Sequence, residues 1–270
     1  MHWREEVVTD RIRERRFDLQ RGDRRIPGLL WTPVDADGPR PLVLIGHGAG
    51  GSKRESYVLA LARSLVRKHG MAAAAIDGPV HGHRRPDGAG VPGLALLEFS
   101  AMWTSDPAMT DDMVGDWRVT LDELQHLPEV GAGPVGWWGL SMGTILGLPF
   151  VAAEPRVSAA VLGLMGLCGP TRERIEADAP RVACPVLFLQ QWDDELFSRE
   201  VVWALFDRIG TRDKRLHCHP GPHGAVPPEA VDASRAFLAD RLCAAGPAAE
   251  PAATEAASRG ARGGSAGGTG

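Results

Sequence analysis

Pro134-Val135-Gly136-Trp137-Trp138-Gly139-Leu140-Ser141-Met142-Gly143-Thr144 joins two apolar runs through a serine. The first run stops at Gly139. The second, Ile145-Leu146-Gly147-Leu148-Pro149-Phe150-Val151, starts at once. Apolar residues on both sides of a Gly-x-Ser-x-Gly frame are the pattern of a strand that turns sharply into a helix, with Ser141 at the apex. Such an apex is strained, and side chains at 139 and 143 would collide there, which is a reason for glycine at both positions. The turn lifts the hydroxyl above the sheet edge. It also aims the N–H of Met142 at the place where a substrate oxygen would gain negative charge.

The rest of the chain repeats the same alternation. Residues 41–45 and 71–76 upstream, and 157–164, 185–190 and 214–219 downstream, read as strands, the first of them a continuous apolar run. Helices are expected at 54–69, 111–127, 198–209 and 228–242, with one or two helical turns at 171–176. On the first, Tyr57, Leu61, Leu65 and Val66 share one face; Ser198 is the expected N-cap of the third, with Glu200 in its first turn. Strands that alternate with helices imply an α/β fold, a mostly parallel sheet covered on both faces. A hairpin of strands at 13–20 and 25–31 precedes it. Residues 1–12 read as a short helix or an arm. Residues 84–112 break the rhythm and read either as a partial lid or as a surface excursion. Residues 1–243 are expected to form one domain. Residues 244–270, rich in Ala, Gly, Pro, Glu and Ser, are expected to be a disordered tail.

Composition narrows the function classes. The chain has 270 residues, 44% hydrophobic and 24% charged, the balance of a soluble globular protein. A net charge of -4 with interspersed signs gives no basic stripe for nucleic acid and no charge run for a membrane surface. Apolar stretches are short and broken by Gly or Pro, so no membrane span is expected. The first residues lack the apolar core of a secretion signal. Cys168, Cys184, Cys218 and Cys243 form no CxxC pair and are read as free thiols in a reducing cytoplasm.

In open parallel sheets ligands bind at the carboxyl ends of strands. Five such ends carry polar or glycine-rich turns: residues 47–51, 77–83, 139–143, 191–194 and 219–223. A serine hydroxyl needs a base within hydrogen-bond reach. His223, in a loop beyond the last strand, is the expected base, with His217 and His219 as rivals inside that strand. The base needs an acid to fix its tautomer. Asp194, after the penultimate strand, is expected there, with Asp193 as runner-up. The turn after the preceding strand, Met165-Gly166-Leu167-Cys168-Gly169, offers no carboxylate. His47-Gly48-Ala49-Gly50-Gly51 supplies a second oxyanion donor, the N–H of Ala49, beside that of Met142, and His47 is expected to brace the loop. The glycines lack P-loop spacing: Lys53 is followed by Arg54. Asp77, His81 and His83, and likewise His217, His219 and His223, have spacings that could hold a metal, but polar turns that the fold needs anyway are the simpler account.

With these residues in place the chain resembles the α/β-hydrolase superfamily across residues 13–243, and within it the dienelactone-hydrolase-like and serine-esterase branches. The resemblance rests on the glycine loop at 47–51, Asp77-Gly78-Pro79-Val80-His81-Gly82, the Ser141 frame, Asp194-Glu195-Leu196-Phe197 and Gly221-Pro222-His223. Dienelactone hydrolase itself uses cysteine where Ser141 stands, which favours an ester. The resemblance implies acyl transfer from a small-molecule ester or lactone through Ser141, His223 and Asp194, with no cofactor and no metal. Acyl transfer to another acceptor, peptide cleavage and a non-hydrolytic scaffold are the alternatives. The acceptor pocket is expected from the 84–112 insert and residues 165–183.

Overall fold

The computed structural model describes residues 1–36, 38–85 and 93–243. Its centre is a nine-stranded sheet. The strands are β1 (His2–Thr9), β2 (Ile12–Arg21), β3 (Arg24–Pro33), β4 (Leu42–Gly46), β5 (Ala72–Ile76), β6 (Val135–Gly139), β7 (Val157–Gly163), β8 (Val186–Gln191) and β9 (Lys214–His219). Their spatial order is β1-β2-β3-β5-β4-β6-β7-β8-β9. β1, β2 and β3 form an antiparallel meander, and β3 is antiparallel to β5. All pairings from β5 onward are parallel. Every residue of β4, β5, β6 and β8 is buried, as apolar runs covered on both faces should be.

The helices are α1 (Ser56–His69), α2 (Leu94–Ser105), α3 (Met109–Gln125), α4 (Met142–Ala153), α5 (Arg172–Asp178), α6 (Arg199–Arg208) and α7 (Pro228–Cys243). Alternation along the strands divides the core in two. Val43, Ile45, Trp138 and Leu187 point to one face, where Leu61 and Leu65 of α1 and Leu238 and Leu242 of α7 meet them. Leu44, Trp137, Leu162 and Phe188 point to the other, against Trp117 of α3, Phe150 of α4 and Leu205 of α6. Trp137 and Trp117 meet edge to face at 4.9 Å between ring centres.

One expectation is corrected. Residues 1–12 are neither helix nor arm: β1 is the edge strand of the sheet, and all eight of its residues are exposed. Its backbone pairs with β2, while Arg4 reaches Asp18 at 2.7 Å and Trp3 meets Phe17 edge-on. A charged strand with no buried face leaves no period in the sequence. Inside the 84–112 insert lies α2, which begins after Gly93 and buries only Phe99; residues 86–92 lie outside the described residues, as does the expected tail at 244–270. Ser198 stands at the N-cap of α6, but its side chain makes no capping bond. No helix among the described residues is long and apolar enough to cross a membrane. All four cysteines are free thiols.

Candidate active site

The turn from β6 into α4 puts Ser141 at φ 57° and ψ -119°, a region that L-residues rarely enter. Both flanking glycines are required by contact. A Cβ on Gly139 would sit 2.6 Å from the carbonyl oxygen of Gly143, and one on Gly143 would sit 2.5 Å from that of Gly46. The strain is held by hydrogen bonds to β7. Ser141 N–H donates to Gly163 O at 3.0 Å, and Thr144 Oγ1 accepts Gly163 N–H at 2.8 Å while lying 2.9 Å from Gly139 O. Thr144 is fully buried and was not singled out in the sequence, where it reads as an ordinary residue of the helix start.

The structure brings Ser141, His223 and Asp194 together. His223 Nε2 lies 3.0 Å from Ser141 Oγ, and its Nδ1 lies 2.8 Å from Asp194 Oδ2. The Asp194 side chain is 2% exposed and that of His223 is 14% exposed. The other Asp194 oxygen accepts the N–H groups of Leu196 and Phe197 at 2.9 and 3.0 Å, which locks the carboxylate. Phe197 packs against the imidazole at 5.7 Å between ring centres. The two loops are tied together. Asp193 Oδ2 accepts Gly221 N–H at 3.1 Å, Asp193 N–H donates to Gly221 O at 3.1 Å, and Glu195 Oε2 accepts His223 N–H at 2.8 Å. Asp193 therefore anchors the histidine loop and does not face the ring. His217 and His219 stay within β9. A hydroxyl on an imidazole whose far nitrogen faces a buried carboxylate can lose its proton as it attacks an electrophile.

The glycine loop at 47–51 is cross-linked to the turn after β5. His47 Nε2 accepts Gly78 N–H at 2.8 Å, and its Nδ1 donates to Gly48 O at 2.8 Å. His81 Nε2 accepts Gly50 N–H at 2.9 Å, and its Nδ1 donates to Pro79 O at 2.5 Å. Both rings must be neutral to accept there. Burial lowers the His47 pKa to about 4, with the neighbouring His81 adding to the effect, and burial lowers that of His81. Asp77, fully buried, pairs with the Lys53 ammonium and accepts the N–H groups of Lys53 and His83 at 3.0 and 2.8 Å. Burial alone would raise its pKa; the Lys53 charge and the hydrogen bonds from Lys53 outweigh that and hold it low. His81 and Asp77 are thus committed to the loop.

These bonds single out one donor. Gly48 N–H donates to Tyr57 Oη at 2.7 Å, Gly50 N–H to His81, and Gly51 N–H to Gly48 O. Ala49 N–H has no acceptor among the described residues, nor has Met142 N–H at the start of α4. Two uncommitted donors beside a nucleophilic oxygen suit a developing oxyanion.

Next to Ser141 lies a cavity of about 270 Å³. Its apolar wall comes from Trp138, Leu140, Leu164, Val226 and Val231; Tyr57, Gly48 and Ala49 border it on the glycine-loop side and His223 and Gly224 on the other. Tyr57 is 39% exposed and stands over this cavity, not in the core face of α1 as its spacing implied. Among the described residues of the insert and of 165–183, expected to build the pocket, none lines it. α2 packs instead on the turn after β5 and on the segment before α5: Phe99 meets His81 at 5.9 Å, and Trp103 Nε1–H donates to Thr171 Oγ1 at 3.0 Å. A larger cavity, about 430 Å³, lies beside Arg24, Arg84 and Asp112. It contains no part of the serine site, and its Arg24 and Arg84 are spent on Asp112 and Asp116.

Comparison with protein-family models and with curated proteins gives no match. Solved structures do match. A cold-adapted esterase from an Arctic intertidal metagenomic library is 39% identical, with a TM-score of 0.80 over 90% of this chain and 100% of that one. Acetyl xylan esterase 1 from Thermoanaerobacterium sp. JW/SL YS485 shares the fold at 17% identity, with a TM-score of 0.65 over 88% of this chain and 87% of that one. Dienelactone hydrolase from Anabaena variabilis ATCC 29413 does so at 22% identity, with a TM-score of 0.60 over 87% and 98%. The parallel sheet, the serine turn and a near-complete match to an esterase at this identity place the chain: it belongs to the α/β-hydrolase superfamily, among the esterases of dienelactone-hydrolase-like fold.

Proposed function

We propose that the protein is a carboxylic ester hydrolase of small-molecule esters that works through an acyl-serine intermediate. The observation that carries this reading is the 3.0 Å approach of Ser141 Oγ to His223 Nε2, with the far ring nitrogen on buried Asp194. Ser141 Oγ attacks the ester carbonyl carbon as His223 takes the hydroxyl proton. The carbonyl oxygen becomes an oxyanion, held by the N–H groups of Ala49 and Met142, each worth about 3 kcal/mol in the transition state. Collapse breaks the bond to the alkoxy oxygen, and His223 returns the proton to it as the alcohol leaves. Water then attacks the acyl-serine, gives its proton to His223, and the acid departs. Asp194 keeps the Nδ1 proton in place and stabilises the imidazolium. Every reacting atom comes from the chain, the ester and water.

In this reading α2 is a partial lid beside the glycine loop, and residues 1–243 work as one catalytic domain. Four free thiols fit a reducing cytoplasm. Ser141→Ala should lower ester turnover on the order of 10⁶-fold while leaving the circular dichroism spectrum unchanged. A fluorophosphonate probe should label Ser141 alone, read by peptide mass spectrometry. Undiminished turnover by the alanine variant would mean another nucleophile.

A further inference from the structure

The Ala49 N–H serves an oxyanion only while its peptide unit keeps one orientation, and the residue before it is glycine. A peptide unit is planar and trans, so its N–H and C=O point opposite ways and turn together. Two such units meet at the Cα of Gly48, where no Cβ restrains φ and ψ. The second unit joins Gly48 to Ala49. Its carbonyl oxygen accepts His47 Nδ1–H at 2.8 Å and Gly51 N–H at 3.3 Å, which turns Ala49 N–H the other way. The first unit joins His47 to Gly48. Its N–H donates to Tyr57 Oη at 2.7 Å, and its carbonyl faces the serine turn, where a Cβ on Gly143 would meet it at 3.5 Å.

If the first unit tilted, the second would be carried with it, so each needs its own hold. His47 holds the second, from a ring that Gly78 N–H fixes at 2.8 Å. For the first, Tyr57 Oη is the one acceptor among the described residues. Tyr57 is itself braced. It stands in the first turn of α1, with its ring centre 6.0 Å from that of Trp138. Trp138 Nε1–H donates to buried Ser234 at 2.9 Å. Trp138 belongs to β6, the strand that runs into the serine turn. The phenol therefore fixes the glycine loop relative to the element that carries Ser141.

We infer that Tyr57 is a positioning residue for the oxyanion donor: by holding Gly48 N–H it keeps Ala49 N–H aimed at the oxygen that gains charge. It acts through Gly48 and Ala49. The inference rests on the acyl-serine reading above.

Tyr57→Phe keeps the ring and removes the oxygen. On a p-nitrophenyl ester kcat should fall about 10- to 100-fold, less than the loss of a whole oxyanion donor, while KM stays within about twofold. A trifluoromethyl ketone, whose tetrahedral adduct on Ser141 carries the oxyanion, should bind more weakly by the same factor as kcat/KM. The matching ether, which has no carbonyl oxygen, should bind as before. The chain has a single tyrosine, so biosynthetic 3-fluorotyrosine enters at position 57 alone. That protein keeps the phenol oxygen and should keep its kcat. An unchanged kcat in Tyr57→Phe, a loss confined to KM, or equal weakening of the ether and the ketone would overturn the assignment. Failure of a fluorophosphonate to label Ser141 in the unsubstituted protein would instead overturn the nucleophile beneath it.

Discussion

Asp193 and Asp194 adjoin in the chain, yet their carboxylates have different work. Asp194 faces His223 Nδ1 at 2.8 Å from a closed pocket, whereas Asp193 accepts the N–H of Gly221. Asn at 194 would turn an amide N–H₂ or a carbonyl toward the ring, and the tautomer that leaves Nε2 ready to accept a proton would lose its charged partner. Asp194→Asn should therefore lower kcat about 10³- to 10⁴-fold. Asn at 193 keeps an oxygen for Gly221, so Asp193→Asn should cost less than about tenfold, within the range of a surface hydrogen bond. Steady-state kinetics on one p-nitrophenyl ester decide, and the opposite ranking would exchange the two assignments. The serine, the histidine and this acid were legible in sequence because each ends a strand or follows one in a turn. Tyr57 was not. At three and four residues' spacing it fell on the apolar stripe with Leu61 and Leu65, but it sits in the first turn of α1, where the helix overhangs the strand ends and its ring meets the cavity. Thr144 escaped for the reverse reason: its work is done by one oxygen toward β7, and no pattern marks that.

At the scale of elements, two loops depend on each other. The glycine loop after β4 and the turn after β5 exchange three side chains, His47 to Gly78, His81 to Gly50, and Asp77 to Lys53. Lys53 and Asp77 are 1% and 0% exposed. Removing one charge from such a pair strands the other in a low-dielectric interior, a loss of about 3–5 kcal/mol. Lys53→Met, similar in length, should lower unfolding free energy in urea by that amount. It should also slow ester turnover, because Ala49 N–H is aimed by the same loop. A stability loss below about 1 kcal/mol would show that the pair is solvated in solution. Sequence reading could place both loops at strand ends, since β4 and β5 are unbroken apolar runs. It could not see that Lys53 turns inward, because a lysine after glycines reads as surface. β1 and α2 were missed on the same ground: each buries almost nothing, so neither carries a period.

For the molecule as a whole, the two-faced core explains why the central strands were readable and the edges were not, while the strand order rests on long-range pairings that no local pattern encodes. The same burial makes the fold acid-sensitive. His47 is 2% exposed, and its pKa falls from the ordinary 6.5 to about 4, so the folded chain keeps it neutral where the unfolded chain protonates it. The unfolded state then binds more protons between these values, and stability falls as pH falls through that window. His47's contribution is fully present above about pH 6.5 and gone by about pH 4, an upper bound of about 3 kcal/mol at 1.36 kcal/mol per unit. The lowered pKa of His81 acts with the same sign. Protonating His47 Nε2 also removes the acceptor for Gly78 N–H, so the glycine loop should loosen in step. Urea unfolding at intervals between pH 7 and pH 4 should show this decline. His47→Gln should start lower at pH 7 but fall less steeply, since glutamine accepts without titrating. Equal slopes for the two proteins would remove His47 from the account and leave the decline to other groups.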